Sequence, residues 1–287
     1  GQWGFFDCID DQEVANVLFD TAEKWVKAKG GDTIVGPINL STNDTVGLLV
    51  EGFDRPPVAM MPYNSPYYID LITNAGYGHK VDLRAYLVME QTADKRSVML
   101  LDKLEERLKR SGITLRQFNV KDFKNEAAKV RDIYNRAWDK NSGFVPMTED
   151  EFNYTAKDLK MILDPRFAIV AEKDGELVGF GLGIPDINQI LIKMKKGRLL
   201  PTGIFKLLFG KKKINLLRVL MLGVLEDYRK LGIEACLYGR IIKESKGSNI
   251  KGAECSWMLE HNYMMNHAIE QMNGELYKRY RLYQKSL

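Results

Sequence analysis

Apolar residues recur at one-face helical spacing through residues 12–29, where Val14, Val17, Leu18, Ala22, Trp25 and Val26 predict a helix with Asp10 or Asp11 as its N-cap. Gly30 and Gly31 stop it, and residues 3–9 and 33–38 read as strands. A Gly-, Pro- and Asn-rich stretch over 39–65 reads as loop, followed by a helix over about 66–74 and a strand over 80–89. Residues 94–110 form a charged amphipathic pattern with Val98, Leu101, Leu104 and Leu108 on one face, read as a connector between domains. Ser111 and Gly112 end it, and 113–118 opens a second domain as a strand. A long helix to about residue 140 follows, with Phe123, Ala127, Val130, Ile133, Tyr134 and Ala137 facing inward. Thr148 and Glu151 are spaced as a capping box for the next helix, which Asp164 and Pro165 break. Lys173-Asp174-Gly175 joins two apolar runs, 167–172 and 176–184, as a hairpin.

The run Arg218-Val-Leu-Met-Leu-Gly-Val-Leu225 has strand length, and 237–242 carries the apolar face of a helix. A strand over 252–257, a helix opening at 259–262 and a final strand complete the pattern. On that last strand Tyr277, Arg279, Arg281 and Tyr283 alternate with Lys278, Tyr280 and Leu282, which predicts sheet packing with one solvated face.

Composition narrows the class. The 287 residues suffice for two domains, and 42 Lys and Arg against 38 Asp and Glu give a net charge of +4, too balanced to point to nucleic acid. Cys8, Cys236 and Cys255 are widely separated, without the spacing of a metal centre or a disulfide framework. They are expected to be buried fillers in a reducing cytoplasm, and no metal is expected. No run of eighteen apolar residues occurs, so no stable membrane insertion is expected. A chain opening in mid-pattern predicts an upstream segment.

The turn Tyr228-Arg-Lys-Leu-Gly-Ile-Glu-Ala235 carries the most chemistry. A strand feeding a helix through a tight basic turn leaves backbone N–H groups unpaired at the positive end of the helix dipole, where a phosphate can be held. The residues resemble the pyrophosphate loop of the GNAT superfamily of N-acyltransferases: Arg or Gln, two residues, Gly, one residue, then Gly or Ala. Arg229 and Gly232 match, and Glu234 stands where the family has a small residue. The order of elements from residue 113 onward is similar to the GNAT topology. The N-terminal half, with Asn64-Ser-Pro-Tyr-Tyr68 and Ala75-Gly-Tyr77, looks like the back part of a second copy. The resemblance therefore implies an α/β protein of two GNAT-like domains, each a mixed central sheet flanked by helices. It divides the chain into a degenerate, truncated half-domain (1–92), a helical connector (93–112) and a complete domain (113–287) of a bacterial tandem type.

The activity so implied is transfer of an acetyl or longer acyl group from acetyl-CoA or acyl-CoA to a small-molecule amine. Arg229, Lys230, Gly232 and Ile233 would cradle the phosphates, with the Arg229 side chain assisting. Leu222, Gly223 and Val224 would hold the thioester carbonyl, and Gly223 suits a bulge, a close ligand approach or simple packing. Asn262 matches the family's helix-opening Asn, but Ile269 stands where many members have the Tyr that protonates the thiolate. Tyr277 is the substitute read from the sequence. As base, Glu254 is the first candidate, with His261, Glu260 and Glu172 behind it. Residues 185–215 form an insertion in which basic clusters flank apolar residues. It could lie on an anionic membrane, accept an acyl carrier protein or cover an acyl chain. Two alternatives stand beside the CoA-dependent enzyme: a transferase fed by an acyl carrier protein, and a non-catalytic binding protein on the same fold.

Overall fold

A computed structural model of the chain describes residues 1–92, 95–139, 144–195, 197–198, 200–201 and 203–287, without the side chains of 95–98. It divides into two units: Gly1–Tyr86, Trp257–Asn266 and Leu276–Leu287 form unit 1, and Leu87–Ser256 with His267–Glu275 forms unit 2. Val98 of the expected connector face, residues 140–143, and Lys196, Leu199 and Thr202 of the insertion lie outside the described side chains.

The chain opens with α1 (Gln12–Ala28), β1 (Thr33–Gly36), β2 (Leu48–Glu51), α2 (Tyr68–Asn74) and β3 (Gly78–Met89). Asp11 caps α1, accepting from the N–H groups of Glu13 and Val14 at 2.9 and 3.2 Å. The buried stripe of α1 is Ala15, Phe19 and Val26; of the expected face Val26 is buried and Ala22 packs against the core, whereas Val14, Val17, Leu18 and Trp25 are exposed. Residues 3–9 are not a strand either. Only a single bridge, Gln2 to Val35, pairs there. Trp3 and Phe6 turn inward onto Phe19, with ring centroids 5.1 and 4.9 Å away, and Tyr77 closes the cluster 4.8 Å from Phe19. Burying these rings outweighs the ladder bonds that a strand would have made. β2, only four residues long, is hidden in a stretch that reads as loop; the Asn64 side chain bonds both the N–H and the C=O of Leu49.

Next come α3 (Lys95–Arg110), β4 (Ile113–Gln117), α4 (Phe123–Trp138), α5 (Glu149–Ile162), β5 (Ala168–Lys173), β6 (Glu176–Pro185), α6 (Asn188–Leu191) and α7 (Gly203–Gly210). The chain ends with β7 (Leu216–Val224), α8 (Ile233–Ser245), β8 (Gly252–Leu259), α9 (Tyr263–Gln271) and β9 (Glu275–Ser286). In unit 2, β4, β5, β6 and β7 are antiparallel neighbours and β8 runs parallel to β7. That gives a mixed sheet. Asp174 and Gly175, at φ 51° and 83°, make the predicted hairpin turn. The Thr148 capping box opens α5 as read from the sequence. Ala127, Val130, Ile133, Tyr134 and Ala137 of α4 pack with Val170, Leu177 and Phe180 of the sheet. On the opposite face, Gly179 and Gly181 of β6 let α8 approach: an added Cβ would stand 3.4 Å from Ile233 and 3.3 Å from Leu237.

Two expectations about organisation give way. α3 is no free connector: Leu104 and Leu101 abut Gly232 and Gly239, and Glu105 and Asp102 meet Arg240 and Lys243 of α8 at 3.0 and 3.2 Å. The units also do not follow the linear boundaries at 92 and 113, because β9 pairs antiparallel with β1 (Thr33 opposite Ser286) and β2 (Leu48 opposite Arg281) in unit 1. On β9 the face through Lys278, Tyr280 and Leu282 is the buried one, and Tyr277, Arg279 and Arg281 on the other face are half-buried. Lys278, Tyr280, Leu282 and Tyr283 are all buried, and Lys278 donates to the carbonyls of Gly52 and Arg55.

Candidate functional site

In unit 2, β7 and β8 share a ladder only from Leu216 opposite Gly252 to Val219 opposite Cys255. β7 keeps its other neighbour, β6, as far as Val224 opposite Gly179. Residues 220–224 therefore have one ladder edge rather than two. Leu222, Gly223 and Val224, the residues expected to hold a thioester, lie on this segment. The β6–β7 register slips between Met221 and Val219, so the bulge sits at Leu220 and not at Gly223. Gly223 is a packing glycine, since an added Cβ would stand 3.0 Å from the Phe180 ring and 3.5 Å from Ala137.

The expected phosphate turn follows directly. Arg229 is extended, Lys230 is left-handed at φ 68°, and Gly232, at φ 88°, is the N-cap of α8. The first bond of the helix runs from the N–H of Cys236 to the Gly232 carbonyl, so the N–H groups of Ile233, Glu234 and Ala235 precede the intrahelical ladder. These donors at a helix start can hold an anion. The Arg229 side chain does something else: its guanidinium donates to the carbonyls of Ala137, in the last turn of α4, and Val224. It clasps two element ends instead of reaching for a phosphate, a natural use of a cation at a helix C-terminus. Burial raises the pKa of the Glu234 carboxyl, against the lowering effects of its own backbone N–H and of Arg229. Glu234 therefore keeps its proton to a higher pH than a free glutamate does.

Glu254 lies one residue before the end of the β7–β8 ladder and is wholly buried, opposite Arg218 in register. Arg218 is also buried and donates from Nε to Ser256 Oγ at 3.1 Å. Glu254 and Ser256 share one strand face. Cys255 faces the other way, where burial first and the charge of Glu254 second push its thiol up to about 12. All three cysteines are buried, as expected. The sequence signal for this group is an arginine opening an apolar run.

The remaining candidates are placed elsewhere. His261, Asn262 and Tyr277 belong to unit 1. His261 is exposed, and Asn262 Oδ1 accepts from the N–H of Met265 at 3.4 Å as a helix cap. The buried amide here is Asn266, which donates to the carbonyls of Leu259 and Asn262. Tyr277 is half-buried, with Arg55 and Lys278 each 5.4 Å from its ring centre. Glu172 is committed to Arg116 at 2.7 Å. Arg116 also forms a forked pair with buried Glu126 and, by its hydrogen bonds, holds that carboxyl below the usual range. Glu260 accepts from the Asp82 N–H and lies 3.6 Å from His79. Among the described residues, His79, Asp82 and Glu260 form a group whose ligand atoms lie within 4.8 Å of one another. Asp82, however, is taken up by Arg281 at 2.7 and 3.0 Å and by Arg279 at 3.3 Å, two positive charges that disfavour an added cation. No helix among the described residues is long and apolar enough to cross a membrane.

No family model matches the chain. Two curated sequences do. Escherichia coli (strain K12) Protein YghO is 36% identical over 293 residues, a match covering 100% of this chain and 74% of YghO. The bacterial ceramide synthase of Caulobacter vibrioides is 37% identical over 298 residues, covering 100% of this chain and 75% of the synthase. The chain belongs to their family. Among solved structures, the GCN5-related glucosamine N-acetyltransferase region of a fungal multi-domain β-N-acetylglucosaminidase aligns over 94% of this chain and 27% of its own, with TM-score 0.55 at 13% identity. A tandem GNAT protein from the clavulanic acid biosynthesis pathway aligns over 94% and 69%, with TM-score 0.50 at 13% identity. At such identities the likeness concerns the fold, and the fold is GNAT, as the turn at Arg229 and Gly232 implied.

Proposed function

We propose that this chain is an N-acyltransferase that moves a long acyl group from a thioester to the amine of a long-chain amino alcohol, forming a ceramide-type amide. The reading is supported by the relative named a bacterial ceramide synthase, 75% of whose length this chain covers, and, within unit 2, by the open edge of β7 leading into the left-handed turn at Lys230 and Gly232. That second observation carries it. A pantetheine arm would lie along the exposed edge at 220–224, bonding backbone as an added strand does, with its phosphates on the first N–H groups of α8.

In the reaction the amine nitrogen attacks the thioester carbonyl, its proton passes to a base, and the C–S bond breaks as the thiolate takes a proton. Glu254 is assigned the base role from its position at the end of the ladder, and Arg218 the role of holding it. Acyl-CoA is the donor in this reading and the cytoplasm its compartment. The test is release of free CoA from a long-chain acyl-CoA with sphinganine as acceptor. Glu254→Gln is expected to lower kcat by about 10²-fold or more, the scale of general-base catalysis, with the donor KM little changed. Wild-type turnover by that variant would remove Glu254 from the chemistry. Tight donor binding with no transfer to any amine would favour a non-catalytic binding protein.

The state of Glu234 gives a separate expectation. An acid whose pKa is raised stays neutral to higher pH, so donor affinity should fall as pH rises through the raised value, when the ionised carboxylate meets the pyrophosphate. Calorimetry across pH should show this slope in the parent chain and not in Glu234→Gln; equal slopes would separate Glu234 from the phosphates.

A further inference from the structure

Every charged residue between Asp186 and Glu226 is basic. Within that stretch α7, eight residues long, turns Phe205, Leu208 and Phe209 outward, exposed by 58, 61 and 72%. Spaced i, i+3 and i+4, they occupy one helix face, and the two phenyl rings lie nearly parallel, 7° apart in plane and 6.5 Å between centres. Ile204 and Leu207 are half-buried on the other side. Gly203 and Lys206 of the same helix border a cleft of about 550 Å³ together with Lys193, Lys195 and Arg198, with Leu200, itself 68% exposed, at its rim. Lys206 is held over the cleft by a 2.8 Å bond to the Lys193 carbonyl. Lys212 and Lys213 continue the exposed positive charge beyond the helix. Lys211 does not belong with them, since its amine is bound to the Met161 carbonyl.

Ordinary surface helices turn such residues inward. Here three large apolar side chains stand in water, in a stretch of chain whose charged residues are all basic, with most of their apolar surface uncovered. We propose that this segment is a monotopic docking surface for an anionic phospholipid bilayer. α7 lies in the interfacial plane with Phe205, Leu208 and Phe209 among the acyl chains, and the basic cleft receives phosphate-bearing headgroups. The helix is about 12 Å long, far short of the hydrocarbon thickness, so it lies on the membrane and does not span it. Charge complementarity decides the sign of the lipid, and the protruding aromatics decide for a bilayer over an acidic carrier protein. Such a carrier would answer the lysines but leave the phenyl face without an apolar phase to enter. The inference rests on this surface alone and stands whether or not unit 2 transfers acyl groups.

The experiment is flotation of the full chain with vesicles of phosphatidylcholine, with and without about 30 mol % phosphatidylglycerol, near physiological salt. The parent is expected to float with the anionic vesicles, less so as salt rises, and only weakly with the neutral ones. Phe205→Ser with Phe209→Ser should lower the partition coefficient about tenfold or more. Lys193→Gln with Lys206→Gln should lower it about fivefold per charge on anionic vesicles alone. These side chains are exposed, so thermal melting should not move, and the loss then reports docking. Phe205→Trp gives an independent reading: its emission should shift to the blue and be quenched by lipids brominated in their acyl chains. Equal flotation of parent and double-serine chains, an unshifted tryptophan, or binding to an acidic carrier protein with none to vesicles would overturn the proposal.

Discussion

Asp82→Ala is expected to lose about 3–5 kcal/mol of stability, the scale for breaking a buried ion pair from one side. Asp82 is 2% exposed. Burial alone would raise its pKa, but the hydrogen bonds and charge of Arg281, then of Arg279, with His79 adding its charge, hold it lowered. Removing the carboxylate leaves two guanidiniums in unit 1 facing each other without their common anion. The sign of the pH dependence follows. A carboxyl with a depressed folded pKa contributes stability that is present above its unfolded value and lost as pH falls through the folded one, so this contribution should vanish only in acid, below the usual carboxylate range. Urea unfolding at neutral pH, followed by probes in each unit because two units need not melt together, measures the loss. A loss below about 1 kcal/mol would mean that water already does the work of the pair. Arg281→Ala in the Asp82→Ala background should cost less than it does alone, since the partner charge is already gone.

The second large effect concerns the turn ahead of α8. Gly232→Ala is expected to weaken acyl-CoA binding more than about tenfold and to cost about 1–2 kcal/mol, because an L side chain at φ 88° is strained wherever it points. Its Cβ would also stand 2.7 Å from Leu104 Cδ2, a flexible branch end that can give way, so the backbone term and not the clash should dominate. Leu104→Ala made together with Gly232→Ala separates the two: relief of the clash would restore little donor affinity. Calorimetry with acyl-CoA reads the outcome, and unchanged affinity in the glycine variant would detach this turn from the donor.

Local punctuation was the part of the fold written most plainly in the sequence. Asp11, Thr148 with Glu151, and Asp174 with Gly175 act on neighbours a few residues away, and each does what its chemistry predicts. Pairings between distant segments were not legible. Nothing near residue 48 says that a four-residue strand forms there, because its partner is β9. The charged residues of β9 looked solvated for the same reason: Arg281 reads as a surface arginine until Asp82 is known to face it. In α1 the wider apolar face is largely exposed and a narrower stripe is buried, since Phe19 alone outweighs several valines when a ring cluster awaits it. At the candidate site, Gly232 was legible because a left-handed cap demands glycine. The use of Arg229 as a clasp was not, since it depends on the Ala137 carbonyl, far away in sequence.

The pairing of β9 with β1 and β2 also sets an order of events during synthesis. Almost all of unit 2 has left the ribosome before β9 is made, and it can form around contacts already present. The first strands of unit 1 are made earliest and must wait longest, with β1 and β2 lacking their partner until residues 279–286 appear. During that interval the Trp3, Phe19 and Tyr77 cluster has no completed sheet beneath it, and open strand edges are the features that recruit wrong partners. A chain cut just before β9 would keep every residue of the turn ahead of α8 and still be the form most prone to aggregate.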